Sequence, residues 1–242
     1  MIERATPPRI VVVLRPTVSG IDEKSAAALI DSVRAQVSAA ASIQADDGAA
    51  VIEVAYLDIA TPTIHQQLDA AHAADVPTVV LIPVAVPRDK YLLTWTARAV
   101  ANWRETRPDA QLEVRLAEPT GIVEALAGRV AAAAASEGTE ITASPASYRS
   151  PAWSKIEHHD RHVLVCKGPR CMAYGAGPLH RELTSAAKGT STKVTGTGCL
   201  SPCNLGPLAV VNPPGDWYGY LSPDDAEELV SGAGPEHRKL LR

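Results

Sequence analysis

The sequence lacks several patterns that would assign a protein to a common functional class. No apolar run reaches the 18 or more residues of a membrane span, and the amino terminus MIERATPPRI lacks the apolar core of a secretory signal. There is no Gly-x-Gly-x-x-Gly after the first predicted strand and no Gly-Lys-[Ser/Thr], so neither a dinucleotide nor a nucleoside-triphosphate site is indicated. The net charge of −4 gives no support for nucleic-acid binding. We therefore expect a cytoplasmic protein that binds neither membrane nor nucleic acid.

Cysteine is scarce, and all four residues lie in the last third of the chain. Cys166, Cys171, Cys199 and Cys203 give Cys-x4-Cys, a gap of 27 residues and Cys-x3-Cys. Two closely spaced pairs can each hold one iron of a [2Fe–2S] cluster through thiolates. Structural zinc is an alternative that the spacing allows, and disulfides fit a cytoplasmic protein less well. The spacing thus predicts a metal centre.

The composition predicts two domains. A chain of 242 residues with 46% hydrophobic content can bury one sizeable core or two small ones. The segment 136–160 is rich in Ser, Thr, Pro and Gly and has no helical or strand period, which is typical of a linker. We therefore expect domains at 1–135 and 161–242.

Residues 10–135 alternate apolar, strand-like runs with helical stretches. Four such units predict an α/β domain with a parallel sheet and helices on both faces, whose ligands would bind beyond the carboxyl ends of the strands. Thr61 is the expected cap of the second helix, with Pro62 at its first position. The predicted strands are 10–14, 51–57, 78–84 and 112–116, and the predicted helices are 22–41, 62–74, 89–106 and 120–135.

The region after residue 160 has the pattern of a small α+β domain. A short strand at 163–165 runs into the first two cysteines, which are expected in a loop with Gly168 and Pro169. Ser222 is the expected cap of a final helix. Glycines allow close approach of backbone to sulfur, and we expect this at Gly196, Gly198 and Gly206, with an ordinary turn as the alternative for Gly206. A helix is predicted at 179–187, and strands are predicted at 193–195 and 208–211.

Two segments, RHVLVCKGPRC (161–171) and VTGTGCLSPCNLGPLAVVNPPGDWYGYLSPDDAEELV (194–230), closely resemble the thioredoxin-like [2Fe–2S] ferredoxins. That family occurs as free carriers and as domains of larger redox enzymes. The matching features are the strand before the first cysteine, the Thr-Gly-Cys-Leu-x-x-Cys loop, the Gly-Pro strand, and Trp-Tyr-Gly before Pro-Asp-Asp. The resemblance implies a [2Fe–2S] cluster on all four cysteines and a redox partner protein.

Two earlier segments, VIEVAYLDIATPTIHQQLDAAHAADVPTVVLIPVAVP (51–87) and LEVRLAEPTGIVEALAGRV (112–130), resemble the small sirohydrochlorin chelatases of the CbiX type. These enzymes insert cobalt or iron into a tetrapyrrole. The resemblance implies a homodimer, because one such unit is half of a bilobal chelatase. It also implies a tetrapyrrole ligand, whose carboxylates Arg15, Arg88 and Lys90 could bind. The alternative is that these three cations are ordinary exposed loop charges.

The sequence departs from the chelatase pattern at the metal-handling histidines. The family has a histidine after the first strand and another after the third, whereas here these positions read RPTVSG (15–20) and PRDKY (87–91). Only His65 and His72 occur in this domain, and both are expected to be surface or helix-flank residues. The predicted function is a one-electron carrier with a chelatase-like domain that lacks the usual catalytic histidines. The alternative is a tetrapyrrole ferrochelatase or cobaltochelatase with a redox cluster.

Charge is distributed unevenly along the chain. Residues 1–150 carry 13 Lys and Arg against 18 Asp and Glu, whereas residues 161–200 carry six cations against Glu182 alone. A basic rim around the cluster would steer an acidic redox partner toward it. A solvated surface with scattered charges is the alternative interpretation.

Overall fold

The amino-terminal region is built on a four-stranded parallel sheet with the strand order β2-β1-β3-β4. The computed structural model describes residues 8–17, 20–41, 51–119, 121–144, 146 and 154–241. Thr120, the expected start of the fourth helix, lies outside these residues. The strands are β1 (Arg9–Leu14), β2 (Ile52–Tyr56), β3 (Thr78–Pro83) and β4 (Glu113–Leu116), and the helices are α1 (Glu23–Ala41), α2 (Ile64–Ala73), α3 (Lys90–Thr106) and α4 (Ile122–Ala134).

The alternation of side chains along β1 explains why helices cover both faces of the sheet. Val11 and Val13 are fully buried in a core that includes Leu68 of α2 and Trp103 of α3. Val12, which points to the other face, packs with Ile30 of α1. The expected parallel sheet with helices on both faces is therefore confirmed.

Local sequence sets where the helices of this region begin. Thr63 caps α2 with a reciprocal capping box, in which its side chain accepts from the Gln66 N–H at 3.2 Å and its own N–H donates to the Gln66 side chain at 2.8 Å. The prediction of Thr61 as cap and Pro62 at the first helical position was wrong, because the Thr-x-x-Gln box two residues later satisfies two backbone N–H groups. Asp89 caps α3 and accepts from the Tyr91 N–H at 2.8 Å.

Helix α4 differs from the other helices of this region because none of its residues is buried. Its apolar side chains Val123, Leu126 and Val130 are 65%, 45% and 57% exposed, and Leu116 of the neighbouring strand β4 is 46% exposed. Large exposed apolar patches mark interaction surfaces. We refer to the helix face that carries Val123, Leu126 and Val130 as the α4 face.

The carboxy-terminal region contains a five-stranded mixed sheet with the order β6-β5-β7-β8-β9. β5 and β6 run parallel, whereas the other neighbours are antiparallel. The expected small α+β architecture is confirmed. Ser222 is a cap, as the sequence predicts, and it forms a capping box with Asp225 at the short 3-10 helix Pro223–Asp225, which leads into the last helix. The strands are β5 (Arg161–Cys166), β6 (Thr192–Thr197), β7 (Ala209–Asn212), β8 (Asp216–Tyr218) and β9 (Lys239–Leu241), and the helices are α5 (Pro169–Ala173), α6 (Ala176–Ala186) and α7 (Ala226–Ser231).

The two regions contact each other through hydrogen bonds. The Ile59 N–H donates to the Lys167 carbonyl at 2.9 Å, and Asn102 Nδ2 of α3 donates to the Tyr174 hydroxyl at 3.0 Å. These contacts place the loop after β2 and the helix α3 against the segment that carries the first two cysteines. No helix within the described ranges is long and apolar enough to cross a membrane.

Candidate metal centre

Parallel pairing of β5 with β6 brings the four cysteines to one edge of the second sheet. Cys166 is the last residue of β5 and pairs with Thr197 of β6, so Cys199 follows just beyond the same edge. Cys171 lies in α5, and Cys203 begins a short 3-10 helix, Cys203–Leu205. The prediction of a loop around Cys171 was wrong, because a helix begins there, with Gly168 as its cap and Pro169 at its first position.

The thiols are arranged in two pairs. The sulfurs of Cys199 and Cys203 lie 3.8 Å apart, and Cys171 donates a hydrogen bond to Cys166. Among the described residues, no group of three or more His, Cys, Asp and Glu side chains is placed to hold one metal ion. The Cys199 thiol also donates a hydrogen bond to Cys166, so the two pairs are in contact. Paired thiolates fit two irons, each held by one pair, better than they fit a tetrahedral zinc.

Two glycines allow the chain to close around the sulfurs. A β-carbon at Gly168 would lie 2.9 Å from Cys199 Cβ and 3.3 Å from its sulfur, and a β-carbon at Gly206 would lie 2.8 Å from the Cys171 sulfur. Only glycine leaves this space free. The expected close approach is thus found at Gly206. A β-carbon at Gly196 would meet the Lys167 side chain, and one at Gly198 would meet nothing within 4 Å apart from its chain neighbours.

Hydrogen bonds polarise the buried pair of thiols. The hydrogen bond from Cys171 lowers the pKa of Cys166 to about 6, although burial opposes it, and the N–H groups of Leu200 and Gly168 assist. The Leu200 N–H lies 3.4 Å from the Cys166 sulfur. The same thiol contact, together with burial, raises the pKa of Cys171. Thiolate is the form that binds metal, and the lowered pKa of Cys166 favours that form.

The second pair is more open to solvent. Cys166 and Cys171 are 1% and 2% exposed, whereas Cys199 is exposed and Cys203 is half-buried. Burial and the contact with Cys199 raise the pKa of Cys203 to about 11, and the nearby charge of Arg170 opposes this. A group held by all four thiols would therefore have one protected side and one side that reaches the surface.

The open side faces a polar cluster at the carboxyl ends of β1, β2 and β3. Arg15 Nε donates to Asp58 Oδ2 at 3.1 Å, its Nη1 lies 3.6 Å from Asp89 Oδ2, and its guanidinium lies 4.5 Å from the centroid of the Tyr91 ring. Burial raises the pKa of Tyr91, and the nearby Cys199 acts in the same direction. The crevice of the first sheet thus adjoins the cysteine centre.

Asp58 is a site residue that sequence reasoning missed. Asp58 is 3% exposed, and its Oδ1 has no hydrogen-bond partner in the described part of the chain. Burial raises the pKa of Asp58 even though Arg15 opposes this shift. Its position directly after β2, beside the charged residue that follows β1, was the signal that could have identified it.

The three cations expected to bind carboxylates of a tetrapyrrole do not form a free cationic group. Arg15 is engaged by Asp58, and Arg88 donates to both Glu118 oxygens at 2.9 and 3.1 Å. Lys90 is exposed at the start of α3. Two of the three cations, Arg15 and Arg88, are therefore already paired with neighbouring carboxylates.

The two histidines of the first region also occupy defined positions. His65 is 4% exposed, and its Nε2 lies 2.9 Å from the Ala99 carbonyl, which can only accept, so Nε2 carries the proton. The expectation of a surface or helix-flank position was therefore wrong for His65. His72 is exposed, and its ring meets Trp103 edge-on at 6.4 Å between centroids.

Curated proteins related to this chain are ferredoxins. No protein-family model matches the chain. The "Ferredoxin, 2Fe-2S" of Aquifex aeolicus is 48% identical over 98 residues, which cover 34% of this chain and 88% of that protein. The "Ferredoxin, 2Fe-2S" of Clostridium pasteurianum is 45% identical over 81 residues, which cover 28% of this chain and 79% of that protein.

Solved structures give weaker similarities. The wild-type thioredoxin-like [2Fe–2S] ferredoxin from Aquifex aeolicus matches 35% of this chain and 99% of its own, with 27% identity and a TM-score of 0.31. A protein described as a cobalamin (vitamin B12) biosynthesis CbiX protein, from Marinobacter aquaeolei VT8, matches 52% of this chain and 94% of its own, with 17% identity and a TM-score of 0.33. These scores support no functional argument, so the family rests on the curated relatives. With most of the Aquifex protein matched at 48% identity, this chain belongs to the family of [2Fe–2S] ferredoxins, and its cofactor is a [2Fe–2S] cluster.

Proposed function

We propose that the protein is a one-electron carrier whose cluster is held by Cys166 and Cys171 on one iron and by Cys199 and Cys203 on the other. The observation that carries this proposal is the convergence of two thiol pairs, separated by 27 residues, at one sheet edge beside two glycines. When bound, the cluster supplies one-electron redox chemistry.

The protein's own groups protect and tune the site. Cys166 and Cys171 exclude water from one side of it. The Leu200 N–H directed at the Cys166 sulfur stabilises negative charge on that sulfur, and hydrogen bonds to ligand sulfurs raise the reduction potential of a cluster. Electrons therefore enter and leave on the side of Cys199 and Cys203.

The test of the cofactor site is a set of single serine variants of the protein purified without oxygen. We expect about two irons and two sulfides per chain in the wild type. Cys199→Ser and Cys203→Ser should bleach or weaken the visible absorption, and the exposed hydroxyl of Ser201 makes Ser201→Ala a suitable control. Stoichiometric zinc without visible absorption would contradict the proposal.

The redox partner should present an acidic surface. Residues 161–200 carry six cations against Glu182, and Arg170 lies beside Cys203. Opposite charge accelerates association at low ionic strength and loses this effect as salt is added. Electron transfer to the physiological acceptor should therefore slow as salt rises, and a salt-independent rate would contradict an acidic partner.

The amino-terminal region should bind a tetrapyrrole weakly or not at all and should leave metal insertion near its background rate. Arg15 and Arg88 are paired with carboxylates, and His65 donates its Nε2 proton to a backbone carbonyl. Metal insertion requires a basic group within ligand distance of the entering ion. The alternative function, a ferrochelatase or cobaltochelatase, is tested by titrating sirohydrochlorin without metal and then with ferrous or cobaltous ion. Insertion above background that is lost in His65→Ala or Lys90→Ala would establish the alternative.

The protein should form a homodimer through the α4 face. A helix with no buried residue and three large exposed apolar side chains is poorly covered in one chain, and a second copy would bury it symmetrically. Leu126→Glu should give a monomer by light scattering at micromolar concentration, whereas Glu124→Gln should remain dimeric. A monomeric wild type with its cluster intact would contradict this assignment.

A further inference from the structure

A cavity of about 710 Å³ lies between helix α3 and the cluster-binding segment. It is distinct from the crevice at Arg15 and Asp58, because neither of those residues lines it. Its volume falls within the range of small-molecule sites, about 300 to 1,000 Å³. The side chains that matter for recognition are His65, Trp95, Arg98 and Asn102 on one side and Arg170 and Cys203 on the other.

Two guanidinium groups, those of Arg98 and Arg170, line the cavity. Arg170 donates to the Tyr174 hydroxyl at 3.2 Å and to Asn204 Oδ1 at 2.6 Å, both neutral acceptors. Arg98 lies over the Trp95 ring, 5.1 Å from its centroid. Neither guanidinium forms an ion pair with a carboxylate in the described part of the chain. Such unpaired guanidiniums match phosphate oxygens in geometry and in charge.

The other titratable residues that line the cavity do not cancel the positive charge of the two guanidiniums. Glu105 is the carboxylate of the lining, and it accepts a long hydrogen bond of 3.5 Å from Asn102. Burial lowers the pKa of His65, so its ring is neutral at pH 7. Two guanidiniums therefore stand against one carboxylate.

The rest of the lining suits a flat apolar group. Trp95 is half-buried and offers an aromatic surface on which a ring can stack. Small apolar residues from both regions complete the walls and leave room for a planar molecule. These residues are Ala99, Ala101, Pro169 and Ala173.

We propose that this cavity binds an aromatic ring system that bears a phosphate, with the ring on Trp95 and the phosphate on Arg98 and Arg170. The function goes beyond electron carriage, because it gives the protein a small-molecule ligand. Cys203 lines the same cavity, so the bound molecule lies next to a ligand of the proposed cluster. A nucleoside monophosphate and a flavin mononucleotide share the required chemistry.

The test is calorimetric titration of the cluster-loaded protein with adenosine monophosphate and, separately, with flavin mononucleotide. We expect at least one of them to bind with a Kd below about 1 mM. Adenosine or riboflavin, which lack the phosphate, should bind about 10-fold more weakly or not at all. The nucleotide that binds more tightly shows whether the cavity favours a purine nucleotide or a flavin nucleotide.

Substitutions locate the site. Arg98→Gln should weaken binding about 10-fold, whereas Arg129→Gln, which removes one exposed charge from α4, should leave it within about twofold. Arg170→Gln is the second variant, with iron and sulfide content measured to show that its cluster is loaded.

Two results would overturn the proposal. One is the failure of both nucleotides to bind at about 5 mM, a concentration well above the expected Kd. The other is equal affinity in the wild type, Arg98→Gln and Arg170→Gln. Either result leaves the iron and sulfide content of the wild type unchanged, so it is distinguishable from failure of the carrier assignment.

Discussion

The backbone N–H of Ile59 donates a hydrogen bond to the carbonyl oxygen of Lys167 at 2.9 Å. Lys167 directly follows Cys166, a proposed cluster ligand, and Ile59 directly follows the buried Asp58. Ile59 has a φ of +64°, a left-handed conformation that is rare for a β-branched residue. The two regions are therefore joined, next to a ligand, by a backbone position that the surrounding structure must hold in place.

Arg15→Ala should destabilise the amino-terminal region by about 1–3 kcal/mol, because it leaves a buried carboxylate without its cation. Arg15 itself is 41% exposed in its side chain, so the lower half of this range is expected. The measurement is urea unfolding at pH 7 followed by tryptophan fluorescence.

The double variant Arg15→Ala/Asp58→Asn supplies the control for that prediction. Removal of the carboxylate charge should recover about 1 kcal/mol relative to Arg15→Ala, since the uncompensated charge is gone. If the double variant is less stable than Arg15→Ala, the ion pair is not the cause of the loss.

Gly168→Ala should remove most of the cluster. Its new methyl group would lie 2.9 Å from Cys199 Cβ, so the loop that carries Cys199 must shift. Gly198→Ala is the matched control, because a β-carbon there meets nothing within 4 Å. Iron and sulfide analysis with visible absorption distinguishes the two, and equal loading of both variants would show that the close approach is not required.

The stability of the first region should fall as the pH drops below about 6.5, the ordinary value for histidine in an unfolded chain. Burial lowers the pKa of folded His65, so the unfolded state binds the proton first. Its contribution is therefore complete above about pH 6.5 and is lost between that value and the lower pKa of the folded state.

His65→Gln should reduce this pH dependence, since glutamine can donate to the Ala99 carbonyl without titrating. His72→Gln, on the exposed side of the same helix, should leave it unchanged. Urea midpoints measured between pH 5 and pH 8 make the comparison. The same slope in the wild type and in His65→Gln would assign the effect to another group.

Tyr174→Phe should destabilise the contact between the regions by about 1–2 kcal/mol. It removes the acceptor for Asn102 at 3.0 Å and for Arg170 at 3.2 Å, and a hydrogen bond contributes about 0.5–1.5 kcal/mol. The cluster should remain loaded, because no ligand is touched. Tyr220 is 52% exposed, so Tyr220→Phe is the control and should have the same thermal midpoint as the wild type.

The sequence predicted the elements whose signal is local and strong. The apolar runs at β1 and β3 and the spacing of the four cysteines led to a parallel sheet and to a paired-thiol centre, and the structure has both. β8 and β9 were not predicted, because strands of three residues depend on pairing partners that are distant in sequence.

Long-range electrostatics was the part that could not be predicted. Arg88 was a candidate to bind ligand carboxylates or an exposed loop charge, and its pairing with Glu118, 30 residues later, was not foreseen. Asp58 was overlooked, because its burial depends on Arg15 and on the docking of the second region. Gly168 is similar, since its closeness to Cys199 exists only after β5 and β6 have paired.

Tyr91 of the amino-terminal region lies close enough to Cys199 for the two to interact electrostatically, which bears on how a redox partner would reach the cysteines. The four cysteines proposed as cluster ligands lie within residues 166–203, and Tyr91 of the amino-terminal region lies near the exposed Cys199. Under the proposed carrier function, a redox partner that approaches Cys199 would meet both regions. That function would then include steric selection, in which the first region narrows the set of proteins that can exchange electrons with the cluster.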